Sequence, residues 1–196
     1  MLSENKNRKI VVGITGASGS CYAYRLLKQL SATDICRDNI AVIVSVNGLK
    51  VFEYELGPDA LREISESFKV FDNSDFMAPF ASGSSSFDTL IVAPCSMGTL
   101  ARIASGLASD LVSRAADVML KERKRLILMI RETPLNSIHL ENMLRITNAG
   151  GIICPASPSF YSKPSDIESL ISTVTERILS LSAIDCPGKY EWMKLL

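Results

Sequence analysis

The chain has 196 residues, 47% of them hydrophobic and 21% charged, an ordinary globular composition that excludes a disordered chain and suits one domain over 1–196. Lys plus Arg and Asp plus Glu each number 21, so no overall basic field exists to hold a nucleic acid or an anionic membrane, although a local cationic pocket remains open. Five scattered cysteines without a CxxC pair indicate neither a zinc knuckle nor a disulfide framework.

The N-terminal MLSENKNRK is polar, and the apolar run behind it is too short for a signal segment or a membrane span, so the expected location is cytoplasmic. In chain order, KIVVGIT (9–15) is the first predicted strand, and the segment around 20–31 has helical spacing. NIAVIVSV (39–46) is the next strand, with helices over 47–56 and 59–68. Pro58 stands where a first-turn proline starts a helix, with Asp59 and Glu63 near its positive end. Residues 69–88, rich in Ser with Pro and Gly, read as a long loop or lid. TLIVAPC (89–95), RLILMI (125–130) and GIIC (151–154) complete the strands, with helices over 97–104, 110–124, 137–148 and 164–183 between and after them. The Gly150–Gly151 pair reads as a left-handed helix end, and Pro164 as the opening of the last helix. Each strand is short, β-branched and continuous rather than alternating, which marks burial on both faces. Strands alternating with helices mean right-handed crossovers. The fold class predicted is α/β, a Rossmann-like, doubly wound parallel sheet with helices on both faces. Residues 185–196 read as a C-terminal tail that closes the site or packs at an interface.

Four segments carry candidate chemistry. GITGASGS (13–20) follows a strand and opens a helix, so its amides and helix dipole make an anion site, with Ser18 and Ser20 as added donors. Its spacing is not G-x-G-x-x-G, no P-loop lysine follows, and the second strand ends in Ser45 and Val46 rather than a ribose-gripping acid. A mononucleotide phosphate or flavin fits better than a dinucleotide; the plainer reading is a tight turn. APCSMGTLARIASG (93–106) repeats the pattern with Ser96 and Thr99, which read either as helix caps or as a second donor set facing the same crevice. Together they predict a phosphate held at Ser18 and the 96–99 turn. Cys95 as a nucleophile would need His139, the only histidine, for a partner. Arg114, Lys121, Arg131 and Arg177 form a cationic series, each also explicable as solvated helix charge. Arg131 and Glu132 follow a strand and should project into the ligand crevice, the first to grip phosphate or a flavin carbonyl, the second as acid or base. PASPSFYSKP (155–164) is a stiff loop that offers Tyr161 as hydroxyl donor or ring platform, or packs as a plain linker.

Six motifs in register resemble one family. GxTGASG, MAPxASGS (77–84), PCSxGTL (94–100), RAADVxLKERxxL (114–126), RExPxxxIHLENM (131–143) and PAxPxFYxxP (155–164) are similar to the flavin prenyltransferases, the UbiX group of flavoproteins long described as polyprenyl-hydroxybenzoate carboxy-lyases. The likeness runs from about Lys9 to Trp192. It implies FMN and dimethylallyl phosphate as ligands, transfer of the five-carbon group to N5 and C6 of reduced flavin, and prenylated FMN as product for a UbiD-type decarboxylase. It also implies a homododecamer with its sites at subunit interfaces, and no metal.

Residue by residue, the resemblance makes Gly16, Ala17 and Ser18 the flavin-contacting turn, and Ser45, Ser96, Met97, Gly98, Thr99 and Arg131 further FMN contacts. Tyr161 and Arg177 match prenyl-phosphate binders, with Lys121 and Arg114 in the same neighbourhood and Ser82 on the family serine. Glu132, Lys121, Ser18 and Glu55 are the implied catalytic set, and Trp192 helps close the pocket. One departure is Ser74-Asp75-Phe76-Met77, where many relatives carry a tryptophan at the Phe76 position. The chain has no DDxxD motif for magnesium, so Arg and Lys are left to stabilise a departing phosphate, and Phe76, Tyr161 and Trp192 to shield an allyl cation. Two other activities stay in view, direct FMN-dependent decarboxylation of an aromatic acid or of a peptidyl cysteine. The third alternative is a non-catalytic FMN carrier.

Overall fold

A computed structural model describes residues 6–185. Six strands, β1 (Ile10–Ile14), β2 (Ile40–Val44), β3 (Lys69–Asp72), β4 (Thr89–Cys95), β5 (Arg125–Ile130) and β6 (Ile152–Pro155), form one parallel sheet in the order β3-β2-β1-β4-β5-β6. The order reverses between β1 and β4, and at such a switch point two strand ends diverge and leave a crevice outside their carboxyl ends.

The helices are α1 (Ser20–Ser31), α2 (Val46–Leu56), α3 (Pro58–Ser67), α4 (Met97–Ala104), α5 (Leu111–Lys121), α6 (Ser137–Asn148) and α7 (Ile167–Leu181). They cover both faces, which is why every residue of β1 and β4 is buried and why no strand in the middle of the sheet alternates. On one face Val11, Ile43, Leu90, Val92 and Leu128 pack against Leu100, Leu111, Ala115 and Met119 of α4 and α5. On the other Val12, Val42, Ile91 and Met129 pack against Leu26 and Leu30 of α1, Ile64 of α3, and Ile178 and Leu179 of α7.

Two sequence expectations need correction. The segment 69–88 is a loop only from residue 73 onward, and that loop is packed down rather than standing as a lid. The segment begins with the edge strand β3, of which only Phe71 is buried, and continues as a packed crossover. Phe80 is fully buried between Phe71 and Phe87, with edge-on ring centroids 5.1 and 5.3 Å away. The last helix starts not at Pro164 but at Ile167, where Asp166 caps it by accepting from Ser169 N–H at 2.7 Å. Pro58 does open α3, and Gly150 does adopt the left-handed conformation after α6 (φ 95°). Among the described residues no helix is long and apolar enough to cross a membrane.

Candidate functional site

Three helix N-termini meet over the crevice between β1 and β4. Ser45 caps α2 by accepting from Gly48 N–H (3.0 Å), Ser96 caps α4 by accepting from Thr99 N–H (3.3 Å), and Asp110 caps α5 by accepting from Ser113 N–H (2.8 Å). Around them lies an open cavity of about 380 Å³, lined by Gly16, Ser45, Val46, Asn47, Asn73, Ser96, Gly98, Thr99, Arg102, Ser109 and Asp110. Each helix start adds free N–H groups and partial positive charge, so the cavity suits an anion.

The turns are held together tightly. Buried Thr15 receives Ser96 N–H at 2.9 Å on its hydroxyl, which itself donates to Pro94 O at 2.7 Å. A Cβ on Gly16 would stand 2.7 Å from Asn47 Cβ, and one on Gly48 2.5 Å from the Ile14 carbonyl, so both glycines are required for this approach. Of the expected flavin contacts, Gly16, Ser45, Ser96, Gly98 and Thr99 line the cavity. Met97 and Ala17 are buried and do not line it.

Ser18 does not join them. It is exposed and belongs to a second cluster on the outer side of the same turn. There the Glu55 carboxylate accepts from Gly19 N–H (3.0 Å) and Ser20 N–H (2.7 Å), and so fills the α1 N-terminus that the sequence offered to a phosphate. Partial burial works to raise the Glu55 pKa, but the Ser18 hydroxyl and the Ser20 and Gly19 N–H groups outweigh it and hold the carboxyl below its ordinary range. Arg131 Nε donates to Ser18 O at 2.7 Å, tying the end of β5 to this turn. Glu132 is exposed beside it, its carboxylate oriented by Thr133 N–H at 2.9 Å. Tyr22 shares the cluster; burial raises its phenol, and the Arg131 charge opposes that.

The 156–166 loop follows β6 at the same end of the sheet. Ser159 N–H donates to Thr173 Oγ1 at 3.0 Å, which seats the loop on α7. Tyr161 is 68% exposed on that loop, and exposed Arg177 lies one helical turn beyond Thr173.

Lys121, Arg114 and Ser82 are not brought to these groups. Arg114 Nε donates to Ala81 O at 3.0 Å, and Lys121 pairs with Glu122 against Gly83. Ser82 lies in the same stretch, 3.2 Å from the Ser84 hydroxyl. Lys121 ends α5 just before β5 begins, whereas Arg131 follows the other end of that six-residue strand, about 20 Å away at 3.3 Å per residue. The cationic series is therefore divided within one chain between two ends and two faces of the sheet. Trp192 and the tail beyond residue 185 lie outside the described residues.

Arg102 is the residue that sequence reasoning missed. It reaches back along α4 and donates to Thr99 Oγ1 at 3.1 Å. Its Nε is 3.0 Å from Asp110 Oδ2, but the N–H is not aimed at the carboxylate, and Nε stays buried without a hydrogen bond. Such an orphaned donor beside three helix starts fits a phosphate. Its position three residues after Thr99, in TLAR, was the available signal. Two other sequence ideas end here. Burial pushes the Cys95 thiol up to about 12, which leaves it protonated and unreactive. His139 is spent in the α6 capping box with Asn136.

The Flavoprotein family matches residues 1–179. Flavin prenyltransferase UbiX of Methanocaldococcus jannaschii is 44% identical over 179 residues, 90% of this chain and 94% of that protein. The crystal structure of AnUbiX (PadA1) in complex with FMN and dimethylallyl pyrophosphate superposes with TM-score 0.88 at 42% identity, covering 95% of this chain and 97% of that one. A dodecameric FMN-dependent UbiX-like decarboxylase from Escherichia coli O157:H7 gives TM-score 0.88 at 36% identity, covering 94% and 99%.

Proposed function

The chain belongs to the UbiX flavin prenyltransferases of the flavoprotein family, and from that premise we propose that it joins the dimethylallyl group of dimethylallyl phosphate to N5 and C6 of reduced FMN, releasing prenylated FMN for a UbiD-type decarboxylase. The observation that carries this reading is the cavity at the sheet's switch point, whose donors match an FMN phosphate. Bound reduced FMN would supply the nucleophilic N5 and C6.

The protein's own residues do the rest. Ser45, Ser96 and Thr99 hold the phosphate end, and Gly16 and Gly98 leave room for the chain attached to it. Arg131 bridges the flavin turn to the reacting end in this reading, supported by its bond to Ser18 O, and Glu132 moves a proton at N5 or at the departing phosphate. Glu55 and Ser18 line the same end, and Glu55 is ionised there because backbone N–H groups hold its charge. Tyr161 and Arg177 bind the prenyl phosphate. Lys121 stands too far away in its own chain, so it reaches, with Arg114 and Ser82 from the same surface, the reacting end of a second copy within a homo-oligomer, which we take to be a dodecamer. Cationic side chains then stabilise the leaving phosphate. Direct decarboxylation would instead require carbon dioxide release from protein with FMN alone, and a carrier would show no turnover.

The test is to incubate the protein with FMN, dithionite and dimethylallyl phosphate and to weigh the flavin released. A flavin heavier by one five-carbon unit is expected; unmodified FMN after exhaustive incubation overturns the reading.

A further inference from the structure

We propose that Arg102 is a phosphate ligand of this cavity and that it exchanges Asp110 for the flavin's terminal phosphate, so that the Arg102–Asp110 pair sets the preference for FMN over riboflavin. The inference rests on the FMN reading above and names residues that reading leaves open.

Arg102 folds back over the start of its own helix. Its guanidinium donates to Thr99 Oγ1 at 3.1 Å, and a Cβ added to Gly98 would stand 3.8 Å from Nη1. That places a full positive charge beside the N–H groups of the first turn, where a phosphate bound by Ser96 and Thr99 would lie. The guanidinium is not satisfied there. Asp110 approaches Nε to 3.0 Å without taking its hydrogen bond, and Asp110 already accepts from the N–H and the hydroxyl of Ser113, both at 2.8 Å. A poorly aligned ion pair, to a carboxylate whose other oxygen is committed to Ser113, is easily traded for a phosphate that matches the guanidinium fork. The Asp110 side chain is only 17% exposed, so its charge remains in the cavity and opposes the phosphate. Riboflavin, with a neutral hydroxyl at that end, would leave the pair as it is.

The experiment compares dissociation constants for FMN and riboflavin by quenching of flavin fluorescence, with no turnover involved. For Arg102→Ala, FMN binding should weaken roughly 10- to 100-fold while riboflavin binding stays near wild type, the loss expected of one charge-assisted bond. Arg102→Lys should recover part of the preference through charge alone. Asp110→Asn keeps a capping side chain and removes the competing charge, so FMN should bind more tightly and riboflavin unchanged. An unchanged FMN-to-riboflavin ratio in Arg102→Ala overturns the proposal, as does an Asp110→Asn variant that fails to tighten FMN. If wild-type protein takes up no FMN, the reading beneath it fails instead.

Discussion

Glu132 and Glu55 are the two carboxylates proposed for the reacting end, and their surroundings suit them to different work. Both are exposed, but Glu55 is fixed by two backbone N–H groups, whereas Glu132 is held by Thr133 N–H alone among the described residues. A fixed anion suits electrostatic support, and a looser one suits proton movement. Glu132→Gln should therefore retain FMN binding and lower prenylation roughly 10²- to 10⁴-fold, measured by flavin titration and by mass of the product. The positions of Ser45, Ser96 and Thr99 at strand ends were legible in the sequence, because hydroxyl residues after buried strands cap the helices that follow and so stand at the crevice. The split between Ser18 and the 96–99 turn was not legible, since it depends on Glu55, a residue from another helix, claiming the α1 N-terminus. Arg102 was missed for a similar reason: its role follows from Asp110, eight positions away, and from a backward reach that spacing alone does not announce.

The elements that proved readable are those buried on both faces. Five strands appear where continuous β-branched runs placed them, because a central parallel strand has no polar side to disguise it. β3 escaped notice because an edge strand of four residues shows one buried side chain, and its followers Phe80 and Phe87 are packed within a loop of serines and glycine. Aromatic packing, not composition, decides that segment. Phe80→Ala should consequently cost about 3–5 kcal/mol in denaturant unfolding with an unchanged slope. A loss below 1 kcal/mol would return the segment to a loosely attached loop.

For the molecule as a whole, one ionic knot gathers distant parts of the chain. Asp88 accepts from Arg8 Nη2 (2.8 Å), Thr89 Oγ1 (2.6 Å) and Lys9 N–H (3.2 Å), and Arg8 also donates to Ser182 O (3.0 Å) behind α7. Burial works to raise the Asp88 pKa, but the bonds from Arg8, Thr89 and Lys9 outweigh it and hold the carboxyl below its unfolded value. Over the acidic range between those two values the unfolded chain binds the extra proton, so this contribution is present above the unfolded value and is lost as pH falls through the folded one. Thermal melts should show Asp88→Asn destabilised near neutrality, with a shallower acid limb than wild type; parallel acid limbs would refute that role. The larger consequence comes from β5, with Lys121 before it and Arg131 and Glu132 behind it. If one copy supplies the lysine and another the glutamate, two dead proteins can repair each other. Lys121→Ala and Glu132→Gln, each inactive alone, should regain partial activity when co-assembled by mixing under dissociating conditions and then dialysed together. The same pair placed in one polypeptide should gain nothing from such mixing with itself. Only heteromers hold sites in which both intact side chains face each other across a boundary between chains.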